Sequence, residues 1–357
     1  MVKSVIAIVL SLVLVIGLHE LGHALAARLF GVKIKRISIG FGRPLLKWHA
    51  KNGCEWIWAL WPLGGYVQLL NSRIEPVSTK DYPVCFDRKP VWMRIIVLLA
   101  GAMVNLLIAW LALLVIFMMG FQRVSPVVAE VHPASMAAAA GIQAGDQFIA
   151  IAGKEVFSWR DAGMRFIMVL GKKNVPVILE DKQGDRRQVI MNLAHWHYVR
   201  GSNALLKGLG IEADITIQPT QKMGLPFLQA AKEAFLSSFY TLAFYLVMLK
   251  QLLLGMLPFA ALLGPLGLFT TMITSFAQGI IVFLLFIANL SLAVGLVNLF
   301  PIPGLDGGSI IYALLEKIRG KPVSIALEIL LHRLAMIIFC VLFIQLILND
   351  VARYLEK

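Results

Sequence analysis

Charge is what this chain has least of. Only 15% of its 357 residues are Asp, Glu, Lys or Arg, where soluble domains carry roughly 25%. A chain so poor in charge and 59% hydrophobic is not a soluble globular protein throughout. It reads as an integral membrane protein with some extramembrane mass. Cysteine is equally sparse. Cys54, Cys85 and Cys340 lie far apart and fit neither a disulfide framework nor a zinc knuckle. Acids number 20 against 33 Lys and Arg, a net charge of +13. In a membrane chain such an excess sets topology and meets anionic lipid, and it argues against a nucleic-acid partner. Histidine is also rare, with seven in all, so the placement of any two together is informative.

Two of them fall in Gly17-Leu18-His19-Glu20-Leu21-Gly22-His23-Ala24, inside an apolar run from about Ser4 to Leu29. Positions four apart nearly eclipse on a helix, so His19 and His23 face the same way and can share one Zn²⁺ through neutral imidazoles. Glu20, beside the first of them, is placed to take a proton from metal-bound water. Lys3, the apolar core and Ala24-Leu25-Ala26 also resemble a cleaved signal peptide. Against that, a carboxylate at the centre of a span costs roughly 2.5–3.5 kcal/mol, and a discarded segment has no reason to carry it. The segment is therefore read as a retained first span, residues 1–30.

Residues 31–91 hold ten Lys or Arg against four acids. Strand-formers alternate with glycines there. The expectation is short β-strands with turns at Gly42-Arg43-Pro44 and Lys51-Asn52-Gly53, closed by Pro62-Leu63-Gly64-Gly65-Tyr66-Val67. This is either a cytoplasmic loop with interfacial aromatics or a sheet dipping into the membrane. A second span covers residues 92–120, and Asn105 inside it reads as helix–helix glue. From 124 to 216 the hydropathy falls to that of a small β-rich domain. The pair His195 and His197 there reads as solvated. Residues 219–275 begin with a polar break at Pro219–Met223 and continue as an amphipathic, interfacial stretch from Leu225 to Leu257. A third span, about Ile280 to Leu299 within 276–303, ends in a segment rich in Pro and Gly that cannot continue a helix. Asp306 follows within 304–330, and an acid buried there needs a partner such as a zinc ion short of a ligand. A last span occupies 331–350. Basic flanks place 31–91 and the Glu316–Arg333 connection in the cytoplasm, and hence 124–216 outside it.

Three features together carry a resemblance. His19-Glu20-Leu21-Gly22-His23, Gly64-Gly65-Tyr66-Val67 and Asn298-x-x-Pro301-x-Pro303-x-Leu305-Asp306-Gly307 resemble the site-2 proteases, which are intramembrane zinc metalloproteases. With a domain between the second and third spans, the chain is similar to the bacterial RseP branch. The segments Pro133–Gly141 and Ala144–Gly153 are similar to PDZ domains, one here where the best-known RseP proteins have two. The second-span motif also departs from the usual Gly-Pro-x-x-Asn, reading Gly101-Ala102-Met103-Val104-Asn105. The resemblance implies metal ligands His19, His23 and Asp306, a catalytic Glu20, and an Asn298 that contacts substrate. The fold expected is a polytopic α-helical membrane protein with about four spans, a membrane-associated β-sheet and one inserted PDZ-like domain. The function expected is a zinc-dependent endopeptidase of the bacterial inner membrane. It would cut single-span membrane proteins, of the anti-sigma-factor or signal-peptide-remnant type. Two other readings are a PDZ-bearing scaffold with a structural metal, and a transporter, against which no inverted repeat is visible.

Overall fold

The computed structural model describes residues 2–50, 53–196 and 204–355. His197 and the Lys51-Asn52 part of the second expected turn lie outside the described residues. The chain forms two compact units. One comprises Met1–Val115, Ala234–Ser238 and Gly267–Gln345; the other comprises Ile116–Glu233, Phe239–Leu266 and Leu346–Lys357.

In chain order, α1 (Val2–Leu12), a π-helical turn (Val13–Gly17) and α2 (Leu18–Leu29) make one continuous apolar helix. Strands β1 (Ile34–His49) and β2 (Glu55–Leu69) follow, then α3 (Val91–Met119). The β-rich segment holds β3 (Phe121–Arg123), β4 (Val128–Val131), α4 (Met136–Ala139), β5 (Gln147–Ile151), β6 (Lys154–Glu155) and α5 (Trp159–Val169). It continues with β7 (Val175–Glu180), β8 (Arg186–Met191), α6 (Ala204–Leu209), β9 (Ile211–Ala213) and β10 (Thr220–Lys222). Five helices close the chain: α7 (Phe227–Leu253), α8 (Pro265–Ala277), α9 (Ile280–Asn298), α10 (Asp306–Arg319) and α11 (Ile325–Leu355). Six helical segments among the described residues are long and apolar enough to cross a membrane, where the sequence suggested about four. The additional two are Phe227–Leu253 and Phe259–Ala277, the least hydropathic of the six. The stretch read as amphipathic and interfacial thus becomes one unbroken helix over most of its length.

In the first unit, α2 and α3 approach closely because Gly22 has no side chain. A Cβ there would sit 2.7 Å from the Ala100 carbonyl oxygen and 2.9 Å from Val104 Cγ2. Helix α9 packs on the π-helical turn through Val15, Phe283 and Ile287, each at most 1% exposed. The sheet corrects the sequence reading. The expected turn at Gly42-Arg43-Pro44 does not divide two strands, because β1 continues through that position while reversing its direction there. Gly40 and Gly42 adopt φ near +90°, a conformation cheap only for glycine, and the strand folds back there. Its first half (Ile34–Ile39) registers with Gly65–Leu69 and also with Glu55–Trp58; its second half (Pro44–His49) registers with Glu55–Ala59. The segment 65–69 is therefore an outer edge of the sheet.

The second unit centres on a four-stranded sheet of order β6-β5-β7-β8 and a β4-β9 pair. Strand β7 alternates buried and half-buried residues, the period of a strand covered on one face. Phe148, Phe166, Val177, Leu179 and Met191 are fully buried beneath it. Leu252 and Leu257, at the end of α7 and just beyond, join the same core. Helix α5 starts at Ser158, whose hydroxyl accepts from the Asp161 N–H at 3.2 Å, as an N-cap should. The polar break expected at Pro219–Met223 is instead strand β10, paired with β3.

Candidate active site

The fold closes the first span onto the start of α10. His19 and His23 lie one turn apart on α2, and their Nε2 atoms are 3.2 Å from each other. Asp306, the first residue of α10, brings its Oδ2 to 3.3 Å from both. That oxygen is buried, and its near neighbours among the described residues are the two imidazole nitrogens. A tetrahedral zinc with ligand bonds of about 2.0–2.1 Å places its ligand atoms about 3.3–3.4 Å apart. The triangle formed by two imidazole nitrogens and one carboxylate oxygen has those edges. Among the described residues it is the one group of three His, Cys, Asp or Glu side chains so arranged. The donor set and its spacing fit zinc, and three ligands leave a fourth position open, as catalytic sites require.

The surroundings explain why these residue types sit there. His23 Nδ1 donates to the Val97 carbonyl at 2.8 Å, which fixes its tautomer and turns the Nε2 lone pair inward. The chain breaks after α9, and α10 begins on Asp306. The glycines expected only to interrupt a helix lie inside the first turn of this new one. A Cβ at Gly307 or Gly308 would run into the carbonyls of Leu299, Phe300 or Ile302, so the turn can fold tightly only with Gly-Gly after the acid. The buried Arg94 of α3 pairs with Glu316 of α10 at 2.9 Å and fastens the helix that carries Asp306.

Glu20 is 7% exposed and its carboxylate meets the Val67 backbone N–H. Gly65 allows this approach, since a Cβ there would lie 2.9 Å from Glu20 Cγ. The next interior bond of the strand, Leu70 N–H to the Lys33 carbonyl at 2.9 Å, points the other way. Residues alternate along a strand, so the N–H groups of Gly65 and Leu69 fall on the same outer edge as the Val67 N–H that meets Glu20. A cavity of about 490 Å³ is lined by His19, Glu20, His23, Gly64–Val67, Asn298 and Asp306. All five residues singled out in the sequence thus meet at one cavity. His195, by contrast, is exposed and belongs to no such group.

Sequence reasoning noted Gly101 and Asn105 as a departing second-span motif and gave α3 no place at the site. Val97, Gly101 and Asn105 follow at intervals of four and form one stripe against the two imidazoles. A Cβ at Gly101 would lie 2.7 Å from His19 Cε1 and collide with His23 Nε2. Asn105, expected to glue helices, is fully buried beside His19, at 3.3 Å between Nδ2 and Nδ1. The signal was present in the spacing, but nothing local says which helix it faces.

Fold and site define an intramembrane zinc metalloprotease. The chain belongs to peptidase family M50, whose pattern matches residues 7–342. It is 26% identical over 432 aligned positions to the regulator of sigma E protease of Haemophilus influenzae, covering 97% of this chain and 98% of that one. It is 26% identical over 438 positions to the regulator of sigma-E protease RseP of Escherichia coli, covering 97% of each. With a Brucella suis protein named as a zinc metalloprotease, identity is 29% over 350 positions, covering 95% of this chain and 92% of that one. The first two alignments are longer than the 357 residues of this chain, so those relatives carry inserted sequence that it lacks.

Proposed function

We propose that His19, His23 and Asp306 hold the zinc and that Glu20 is the catalytic carboxylate in the cleavage of single-span membrane proteins. The observation that carries this is the triangle of converging donor atoms with Glu20 at its side. Zinc bound there supplies a Lewis acid that polarises the scissile carbonyl and acidifies a water. Glu20 accepts the proton of the attacking water and passes it to the leaving amine. A substrate helix hides its carbonyls in its own hydrogen bonds, so it must unwind before attack. The outward N–H groups of Gly65 and Leu69, on either side of the Val67 N–H that Glu20 holds, receive the unwound segment as an added strand, and Asn298 at the end of α9 hydrogen-bonds the same segment.

In the bacterial inner membrane, the four most hydropathic helices cross and α7 and α8 associate without crossing. Residues 31–91 and the Glu316–Arg333 connection then face the cytoplasm and the PDZ-like domain, 124–216, faces outward. The names of the Haemophilus and Escherichia relatives support substrates of the anti-sigma-factor type; signal-peptide remnants have the same single-span chemistry. The single PDZ-like domain acts as a filter on substrate size. Deleting 124–216 should then admit intact long substrates, whereas simple loss of activity would favour recruitment by the domain.

The decisive experiment is Glu20→Gln. Cleavage of a single-span test substrate should vanish while about one zinc per chain is retained. Retained cleavage would remove Glu20 from the chemistry. Persistent zinc in a parent chain that cuts no membrane protein would favour the scaffold reading.

A further inference from the structure

Asn105 has no exposed surface. Its Nδ2 lies 3.3 Å from His19 Nδ1, and its Oδ1 is buried with no hydrogen-bond partner among the described residues. That orientation of the amide conflicts with the chemistry of the ring it faces. His19 Nε2 points at Asp306 Oδ2 and at His23 Nε2, so a metal at the triangle takes the Nε2 lone pair. A neutral imidazole then carries its single proton on Nδ1. An amide NH2 opposite that N–H sets donor against donor and leaves the oxygen orphaned. Turning the amide by 180° keeps every heavy atom nearly in place, since its two ends differ little in shape. Oδ1 then accepts from His19 Nδ1–H.

We infer that Asn105 is a positioning residue, which accepts the Nδ1 proton of His19 and thereby fixes the tautomer that can bind zinc. It does for His19 what the Val97 carbonyl does for His23 at 2.8 Å. Val97 lies inside α3, so its carbonyl serves His23 with a second lone pair beside its place in the helix ladder. A side-chain amide two turns further along α3 supplies the second acceptor, and Gly101 between them leaves room for both rings. This inference rests on the zinc reading of the triangle.

The test compares Asn105→Leu, similar in size without an acceptor, with Asn105→Asp, which accepts but cannot donate. Zinc affinity of the full-length protein in detergent is measured by competition with a chelator, beside the melting temperature of the zinc-free form. Removing such an outer partner weakens metal binding by roughly 10–100-fold, so that loss is expected for Asn105→Leu, with little change in zinc-free melting. Asn105→Asp should bind within about threefold of the parent or more tightly, because a carboxylate accepts the N–H of a metal-bound imidazole and raises its basicity. Two results would overturn the inference. One is an Asn105→Leu chain that binds zinc as tightly as the parent. The other is an Asn105→Asp chain that binds as weakly as the Leu variant, which would make Asn105 a donor or a packing residue. A parent chain that takes up no zinc would instead refute the metal reading itself, leaving the comparison of variants without an object.

Discussion

Replacing Gly101 with Ala adds one methyl group where the two imidazoles pass α3. The built Cβ lies 2.7 Å from His19 Cε1 and from His23 Cε1, where ordinary contact begins at 3.4 Å. The rings must therefore retreat by about 0.7 Å or more. A misplacement near 1 Å can lower a rate roughly 10²-fold, so kcat/KM should fall by about that factor. The same substitution in a helix interior gains up to about 1 kcal/mol of helix propensity. Activity and helix preference are thus pushed in opposite directions, which separates damage to the site from unfolding. The assay is cleavage of a single-span substrate by the purified protein, with bound zinc and melting temperature recorded on the same samples. Gly163→Ala on α5 is the control, since its nearest foreign atom, Leu205 Cδ2, is 3.5 Å away. It should leave cleavage unchanged. A Gly101→Ala chain with parental cleavage and full zinc would refute the cradle on α3, because the methyl would then have been absorbed without moving either ring.

Leu69→Pro removes an outward N–H from the edge segment while sparing the inward bond of Leu70. Cleavage should drop with zinc content unchanged, and unaltered cleavage would argue against strand addition. Glu55 is held down to about 2, first by the Lys47 ammonium and then by the Arg36 guanidinium, each at 2.5 Å. A depressed carboxyl stabilises the fold fully above its ordinary 4.5 and loses that contribution as pH falls toward 2. The near-ultraviolet circular dichroism of the stacked Trp48–Trp56 pair, 5.9 Å between centroids, should fade over that window. In Glu55→Gln it should lose that pH dependence, and identical acid profiles for the two chains would contradict the assignment. Phe166→Ala empties the centre of the β-rich domain, where the ring meets Phe148 edge-on at 5.5 Å. A loss of roughly 3–5 kcal/mol is expected, read as protease sensitivity of the 124–216 segment; parental resistance would mean the core refills.

Much of this was legible in one dimension because its causes are local. The apolar runs gave the four most hydropathic helices. The turn of a helix put His19 and His23 on one face. The sheet of residues 34–69 was less legible. A strand that folds back at Gly40 and Gly42 leaves the same glycines in the sequence as one that ends there. The two extra helices were missed for a related reason. In α7, Lys232 and Glu233 interrupt hydropathy without interrupting a helix; in Phe259–Ala277, Gly264-Pro265-Leu266-Gly267 looks like a break, yet Pro265 begins α8.

By itself the sequence determined that this is a membrane protein, and which side chains could serve a metal, because charge scarcity and four-residue spacing act within a few turns of chain. Only the tertiary structure decided that Asp306 reaches the histidines, that a sheet edge is turned to Glu20, and that α3 presents a carbonyl, a gap and an amide to the rings. Those are distances between segments far apart in the chain, fixed by close packing at Gly22, Gly101 and Gly307, and no local periodicity encodes them.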